Sequence, residues 1–207
     1  MKKIHSGVMG FVAAVVGGVA AALVCLGCDD GGSSDYVELG VNKWMKKNLN
    51  VVTEDSWCYD DNPKNCKRYG RLYTWDAAVK ACRQIGWRLP NSGEWEALEY
   101  AVGGQSTRLK AKNGWIDDQG KSNNGTDNYG FSALPGGYRN PDGDYRYRDG
   151  GQWGYWWTAS EYGDGIWWAS SDCGDNCAYI YIGDWRGGVG GSGDSRRYGY
   201  SVRCVKD

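Results

Sequence analysis

The chain has 207 residues, of which 41% are apolar and 24% are charged, and its net charge is −1. Its 12 Trp and 15 Tyr residues can bury a substantial core, which excludes a disordered chain, and the length suits one domain. The only histidine is His5, so a mature protein that lost its first residues would have no Ser-His-Asp triad, no Cys-His dyad and no imidazole metal ligand.

Residues 1–27 have the pattern of a bacterial lipoprotein signal peptide. Lys2 and Lys3 precede a long apolar, uncharged stretch that ends at Gly27, and the small Gly27 stands directly before Cys28. We therefore expect cleavage before Cys28 and attachment of lipid to it, which would hold the protein stably on a membrane. An uncleaved membrane anchor and cleavage without lipid are the alternatives.

Residues 28–35 are predicted to be a flexible polar tether, and residues 36–207 one domain. Removal of the signal would take away two lysines and no acidic residue, which changes the net charge from −1 to −3. This charge predicts no nucleic-acid partner. The expected location is the cell envelope, with the outer membrane or cell surface favoured over the inner membrane, and the lipid anchor makes the membrane a partner.

The cysteines predict a framework of disulfides. Of the eight cysteines, Cys25 belongs to the predicted signal and Cys28 is the expected lipid site, which leaves six. Two pairs of these each bracket a short turn-forming segment, and pairing them leaves two cysteines whose bridge would close nearly the whole domain. Zinc is the alternative, but sites made only of cysteine use paired close spacings, and an oxidising compartment disfavours them. The predicted bridges are Cys58–Cys66, Cys173–Cys177 and Cys82–Cys204.

A β-hairpin and a helix are the first elements predicted after the tether. Tyr36–Leu39 and Lys43–Met45 flank a turn that contains Gly and are expected to pair. A helix is expected over Trp75–Cys82, with Thr74 as its N-cap and Cys82 on its buried face.

A second helix is expected after this one. Asn91 and Glu94 have the spacing of a capping box, and Trp95, Leu98 and Val102 form an apolar stripe behind them. No further helix is predicted.

The second half of the chain predicts short strands, because aromatic and β-branched runs alternate with Gly-rich turns. Early helices and late strands indicate an α+β domain. In the last run, Tyr200, Val202 and Cys204 alternate onto one face, which predicts a half-buried strand. The runs are Phe131–Leu134, Tyr138–Arg139, Tyr145–Tyr147, Tyr155–Ser160, Ile166–Ser170, Ala178–Ile182 and Tyr198–Val205.

Aromatic residues are the main candidates for binding, because flat rings stack on the faces of sugars. The alternative for each is a place in the core, since the chain has few other large apolar residues. Alternation along a strand predicts that at most one of Trp156 and Trp157 faces the core, and we expect Trp153 and Trp185 at the surface. The candidate ligand-binding residues are Trp153, Trp167, Trp168, Tyr181 and Trp185.

A loop rich in Asn, Asp and Gly offers oxygen ligands of the kind that calcium uses. Its spacing does not match an EF-hand, so a solvated loop is the alternative, and no other cofactor is expected. The candidate calcium ligands are Asp117, Asp118, Asp127 and Asn128.

Acid–base catalysis would fall to carboxylates, because the predicted mature domain lacks histidine. Nothing in their spacing defines a catalytic pair, and Glu94 has a predicted cap role, so we expect no enzyme. The carboxylates considered are Glu94, Glu96, Glu99 and Glu161.

Six ordered segments of the chain resemble one bacterial family. They are Trp57-Cys-Tyr-Asp-Asp-Asn-Pro, Tyr69-Gly-Arg-Leu-Tyr-Thr-Trp-Asp-Ala-Ala, Gly86-Trp-Arg-Leu-Pro with Glu94-Trp95, Tyr129-Gly-Phe-Ser-Ala-Leu-Pro-Gly-Gly-Tyr-Arg, Tyr155-Trp-Trp-Thr-Ala-Ser-Glu and Tyr200-Ser-Val-Arg-Cys-Val-Lys-Asp. Together they resemble the Fibrobacter succinogenes major paralogous domain. The resemblance implies an exported, often lipid-anchored protein whose family has no established biochemical activity.

That family is similar, at longer range, to C-type lectin-like domains and to formylglycine-generating enzymes. The first likeness implies two early helices and a bridge from Cys82 to Cys204, but the chain carries no sugar-and-calcium motif of the lectins. In the second, only Cys173 and Cys177 could correspond to the enzyme's redox-active pair.

These observations together predict a disulfide-stapled, C-type lectin-like α+β domain with short, twisted antiparallel strands and long loops. The expected function is a non-catalytic binding module for polysaccharide or a surface protein. A structural or assembly component of the envelope is the first alternative. An enzyme of the formylglycine-generating or carboxylate-based type is the last.

Overall fold

The computed structural model describes residues 35–117, 119–146, 151–161, 176–182 and 189–207. All of them belong to the second of the two units into which the chain divides, Ser34–Asp207. Within the described ranges, three short α-helices and ten strands form an α+β body.

The first helix, α1 (Pro63–Tyr69), was not predicted from the sequence. Asn62 is its N-cap and accepts a hydrogen bond from the backbone N–H of Lys64, and Pro63 occupies the first helical position, where its missing N–H costs nothing. From the sequence, only a turn is expected between Cys58 and Cys66. A helix of seven residues is too short to show an apolar period.

The two predicted helices are both present. In α2 (Trp75–Gln84), the Thr74 side chain accepts from the Ala77 N–H, as an N-cap does. In α3 (Ser92–Ala101), Asn91 and Glu94 form both bonds of a capping box. The stripe of Trp95, Leu98 and Val102 is buried.

Four antiparallel sheets complete the fold. Their pairings confirm the predicted hairpin, in which Tyr36–Leu39 pairs with Asn42–Met45, and the strand near residues 155–160. One sheet has the order β1 (Tyr36–Leu39), β2 (Asn42–Met45), β10 (Val205–Lys206), and another has the order β7 (Gly154–Glu161), β8 (Asn176–Ile182), β9 (Val189–Ser195). The two-stranded sheets pair β3 (Ser56–Trp57) with β4 (Leu72–Tyr73) and β5 (Tyr138–Arg139) with β6 (Tyr145–Arg146).

The predicted runs Tyr138–Arg139, Tyr145–Tyr147 and Ala178–Ile182 overlap β5, β6 and β8, but other strand predictions are not confirmed. The run Phe131–Leu134 makes only an isolated bridge, from Ala133 to Lys110. Strand β9 was missed because its Gly-rich sequence lacks the residues that favour strands. The predicted run Ile166–Ser170 lies outside the described residues.

The last predicted run, Tyr198–Val205, is not a half-buried strand. Tyr200 and Ser201 make isolated bridges, and a regular strand begins only at Val205. Ser201, Arg203 and Val205 are buried as fully as the residues that alternate with them. The prediction is wrong because this segment runs through the interior and is covered on both sides.

Two buried clusters flank β7. The first core includes Trp44, Trp95, Leu98, Phe131, Trp156 and Ile180. The second core includes Tyr73, Ala78, Cys82, Tyr155, Trp157 and Tyr200. Trp156 and Trp157 point to different faces of the strand, as alternation requires, yet both are fully buried. The expectation that at most one of them faces a core is wrong, because each face has a core of its own.

Two of the three predicted disulfides are present in the structure. Cys82 of α2 is joined to Cys204, and both are fully buried in the second core. Cys58 is joined to Cys66 of α1. The third bridge stays a prediction, because Cys173 and the side chain of Cys177 lie outside the described part of the chain.

Candidate functional site

Three aromatic rings meet at the start of β7. The ring centroids of Trp153 and Tyr181 are 5.8 Å apart, and Tyr155 lies 6.4 Å from the first and 6.3 Å from the second. We call Trp153, Tyr155 and Tyr181 the aromatic edge. Trp153 and Tyr181 are half-buried, so the expectation that Trp153 lies at the surface holds only in part.

The aromatic edge is anchored in the second core. Tyr155 stacks on Tyr200 with 5.5 Å between centroids, and Tyr200 lies 4.5 Å from the buried Trp157. Tyr138 contacts Tyr155 edge-on at 5.3 Å. Because these rings hold one another, a ligand that stacked on the edge would order few side chains on binding.

The other predicted aromatic residues, Trp167, Trp168 and Trp185, lie outside the described residues. The structure thus brings together Trp153 and Tyr181, two of the five candidates.

The candidate calcium ligands hold their own loops together. An Asp117 oxygen accepts from the backbone N–H groups of Gln119 and Lys121 at 2.9 and 2.7 Å. Asp127 accepts from the N–H and hydroxyl of Ser132 at 2.7 and 2.5 Å. The side chain of Asn128 is exposed, and Asp118 lies outside the described residues. Among the residues that the structure does describe, no group of three or more His, Cys, Asp and Glu could hold a metal.

Glu94 is held in a network of hydrogen bonds. Its carboxylate accepts from the Arg88 guanidinium at 2.6 and 2.8 Å, from the Asn91 N–H at 2.8 Å and from the Asn42 amide at 2.8 Å. Burial raises the pKa of Glu94, but these hydrogen bonds outweigh burial and hold the pKa below its ordinary value. Such a carboxylate stays ionised and is a poor general acid. Of the other carboxylates considered, Glu96 is exposed, Glu99 is half-buried, and the Glu161 side chain is outside the described residues.

A second site, which the sequence analysis missed, is a groove of about 620 Å³. This volume lies within the range of small-molecule sites. We call it the basic groove. Its charged lining consists of Lys46, Lys47, Lys67, Arg68, Lys112 and one carboxylate, Asp127. Its other lining residues are Asn48, Asn50, Cys66, Gly70, Ala111, Asn113, Ser132 and Leu134.

Helix α1 and Gly70 position one wall of the basic groove. The Cys58–Cys66 bridge pins α1, whose last turn carries Lys67 and Arg68, where cations also complement the helix dipole. Gly70 follows with φ of +78°, and a Cβ there would lie 2.7 Å from both the Asn48 Cβ and the Leu49 carbonyl oxygen. Only glycine therefore lets the loop that contains Asn48 pass so close.

Arg203 lies beneath the basic groove and is fully buried. Its guanidinium donates to Asn48 Oδ1 at 2.7 Å and to the carbonyl oxygens of Met45, Phe131 and Ser132 at 2.6 to 2.9 Å. Burial lowers the pKa of Arg203 to about 9, and the Asp127 charge opposes this shift. The group remains a cation at neutral pH and ties the last segment to two loops of the groove.

Comparison with known families gives one match. The family model described as the Fibrobacter succinogenes major domain matches residues 37–206. The chain belongs to this family. No curated protein matches it, and no solved structure does.

The Fibrobacter succinogenes major domain of this chain includes every residue of the aromatic edge and of the basic groove. In the ranges described above, no helix has both the length and the apolar character needed to cross a bilayer. The family description names no ligand.

Proposed function

We propose that this protein is an exported, lipid-anchored module of the bacterial cell envelope that binds polysaccharide and catalyses no reaction. The signal pattern before Cys28 and the disulfide framework support the export part, because disulfides persist outside the cytosol. The outer membrane or the cell surface is the proposed location.

The aromatic edge is the observation that carries the binding function. The half-buried rings of Trp153 and Tyr181 lie 5.8 Å apart and within 6.4 Å of the buried Tyr155 ring, which stacks on Tyr200. Rings presented on a rigid sheet end can stack against the apolar face of a sugar with a small loss of side-chain entropy. Polysaccharide is therefore favoured over a surface protein, which would remain the alternative ligand.

We also propose that the α+β body is a C-type lectin-like fold. Its support is the order of the elements, with two capped helices early, and the Cys82–Cys204 bridge from an early helix to the segment near the C-terminus. A solved structure of this family would test the proposal directly.

Retention on insoluble plant polysaccharide tests the binding function. The full chain, purified in an uncharged detergent, should be retained, and Trp153→Ala should weaken retention about tenfold, equivalent to roughly 1.4 kcal/mol. Trp87→Ala is the matched control, because it removes another half-buried indole that packs beside the second core but is outside the aromatic edge. Equal losses in the two variants, or no retention of the wild type, would exclude the edge as a polysaccharide site.

The alternatives have separate readouts. A partner that co-purifies in stoichiometric amounts, with no glycan retention, would favour an assembly component of the envelope. Free thiols at Cys173 and Cys177 in the native protein would revive the formylglycine-generating type of enzyme. Intact mass of protein from native membranes tests the lipid at Cys28.

A further inference from the structure

The basic groove collects positive charge from separate parts of the chain. Lys47 follows β2, Lys67 and Arg68 end α1, and Lys112 lies some forty residues further along. These four residues form no ion pair with any residue that the structure describes. Like charges that converge in this way repel one another, so the arrangement is stabilised by an anion placed among them.

A buried cation, Arg203, lies beneath the floor of the basic groove. Arg203 has no carboxylate in ion-pair contact among the described residues. Asp127, the one carboxylate among the described lining residues, is close enough to act on Arg203, and its oxygens also accept two hydrogen bonds from Ser132. Asp127 therefore offsets the buried cation and leaves the cations at the rim uncompensated.

The shape and neutral lining of the basic groove indicate what kind of anion fits. The groove is concave and holds about 620 Å³, whereas a contact with a membrane surface needs no cavity. The side chains of Asn50 and Asn113 are exposed at its rim and can bond hydroxyl groups, and Ala111 and Leu134 offer a small apolar surface. Hydroxyl groups, an apolar face and negative charge occur together in a sugar chain that carries carboxylates.

We propose that the basic groove binds an acidic oligosaccharide, with Lys47, Lys67, Arg68 and Lys112 contacting the carboxylates of its sugar units. The site is distinct from the aromatic edge, since the two share no residue. It extends the proposed function by adding a second subsite with a different chemistry.

Titration with a tetramer of galacturonic acid tests this subsite, using the full chain in an uncharged detergent. The acidic tetramer should bind, and its fully methyl-esterified form should bind about tenfold more weakly. Raising salt from about 0.05 to about 0.5 M should strongly lower the affinity for the acidic form, because salt screens the charges. Equal affinity for the acidic and esterified forms would overturn the proposal.

Charge-matched variants locate the subsite. The double variant Lys67→Gln with Lys112→Gln should weaken binding of the acidic tetramer about tenfold. The control, Lys64→Gln with Lys80→Gln, removes the same charge from exposed positions outside the lining. It should change the affinity less than about twofold. Similar losses in both double variants would show a general charge effect and overturn the site.

Two further titrations compare the acidic oligosaccharide with other kinds of anion. Tetraglutamate, an anion without a sugar, and short-chain phosphatidylglycerol should each bind more weakly than the sugar. Equal or tighter binding of either one, lost in the Lys67/Lys112 variant, would reassign the groove to an acidic peptide or a lipid headgroup. Trp153→Ala should leave these titrations unchanged, so failure of the aromatic edge and failure of the groove are distinguishable.

Discussion

The two cores hold the last segment of the chain in different ways, through neighbouring residues. In the second core, Cys204 is bonded covalently to Cys82 of α2. At the margin of the first core, Arg203 is held only by hydrogen bonds and by the Phe131 ring, 4.5 Å from its guanidinium carbon. A disulfide acts chiefly by restricting the unfolded chain, whereas a buried guanidinium stabilises the native state only when every partner is in place.

This difference matters for function because the two devices control different geometry. The Cys82–Cys204 disulfide links two distant parts of the domain but does not fix the positions of the loops. Arg203 with its hydrogen-bond partners, which we call the Arg203 hub, fixes the end of β2 at Met45 and the loops that contain Asn48 and Ser132. Asn48 and Ser132 also line the basic groove. We therefore expect the second core to govern global stability and the hub to govern the shape of the groove.

The largest expected effect is loss of the long disulfide. Cys82→Ala with Cys204→Ala opens a loop with a sequence separation of 122, and the loop-entropy relation gives a loss of about 5 kcal/mol in the free energy of unfolding. Cys58→Ala with Cys66→Ala, with a separation of 8, should lose about 3 kcal/mol. Guanidinium chloride unfolding measures both, and a larger loss from the short bridge would contradict the division of roles.

The next effect is at the hub. Arg203→Met keeps an apolar side chain of similar length but leaves several buried carbonyl oxygens without their donor, so it should cost about 3–5 kcal/mol. Arg197→Met, at an exposed position, should stay within about 0.5 kcal/mol in the same unfolding measurement. A loss at Arg203 no greater than at Arg197 would mean that the hub contributes no stability.

The next, smaller effect is on the free energy of unfolding at two glycines, and it distinguishes a steric clash at Gly70 from the strain of its positive φ. Gly70 and Gly86 have similar positive φ, +78° and +73°, but a Cβ would clash only at Gly70. Gly86→Ala should cost about 1 kcal/mol from φ alone, and Gly70→Ala about 2–3 kcal/mol. Only Gly70→Ala should also weaken binding of the galacturonic acid tetramer, and an intact groove in that variant would show that the close approach is dispensable.

The smallest effect is a dependence on pH at α3. The folded pKa of Glu94 lies below its ordinary value of 4.5, so its stabilising contribution is complete above pH 4.5 and fades as pH falls through the folded pKa. Glu94→Gln should therefore cost about 1–2 kcal/mol at pH 7, and its difference from wild type should shrink in acid. A difference in the free energy of unfolding between Glu94→Gln and wild type that stayed constant down to pH 3 would contradict the assigned network.

Local signals in the sequence predicted the elements that depend on neighbouring residues. Thr74 and the Asn91–Glu94 pair marked both longer helices, because a cap bonds backbone groups two or three residues away. The pairing of Cys82 with Cys204 also followed, from turn chemistry at the other cysteines. Burial on both sides of Trp156 and Trp157 did not follow, since alternation distinguishes two faces but not what covers each of them.

The two candidate sites also differ in how far the sequence could predict them. The aromatic edge was predicted in part, because Trp153 and Tyr181 are recognisable as residue types even though their contact is not. The basic groove was missed because Lys47, Lys67 and Lys112 are far apart in sequence, and a near-neutral total charge conceals a local concentration of one sign.

The amino-acid sequence by itself determined the family, the α+β class, the caps of the longer helices and two disulfides, Cys58–Cys66 and Cys82–Cys204. These features follow from local turn and cap chemistry or from ordered motifs. Tertiary structure alone decided that adjacent tryptophans enter separate cores, that Arg203 is buried, and that distant cations surround one groove. These features depend on which segments cover one another, and a fold brings such segments together through contacts that no local pattern records.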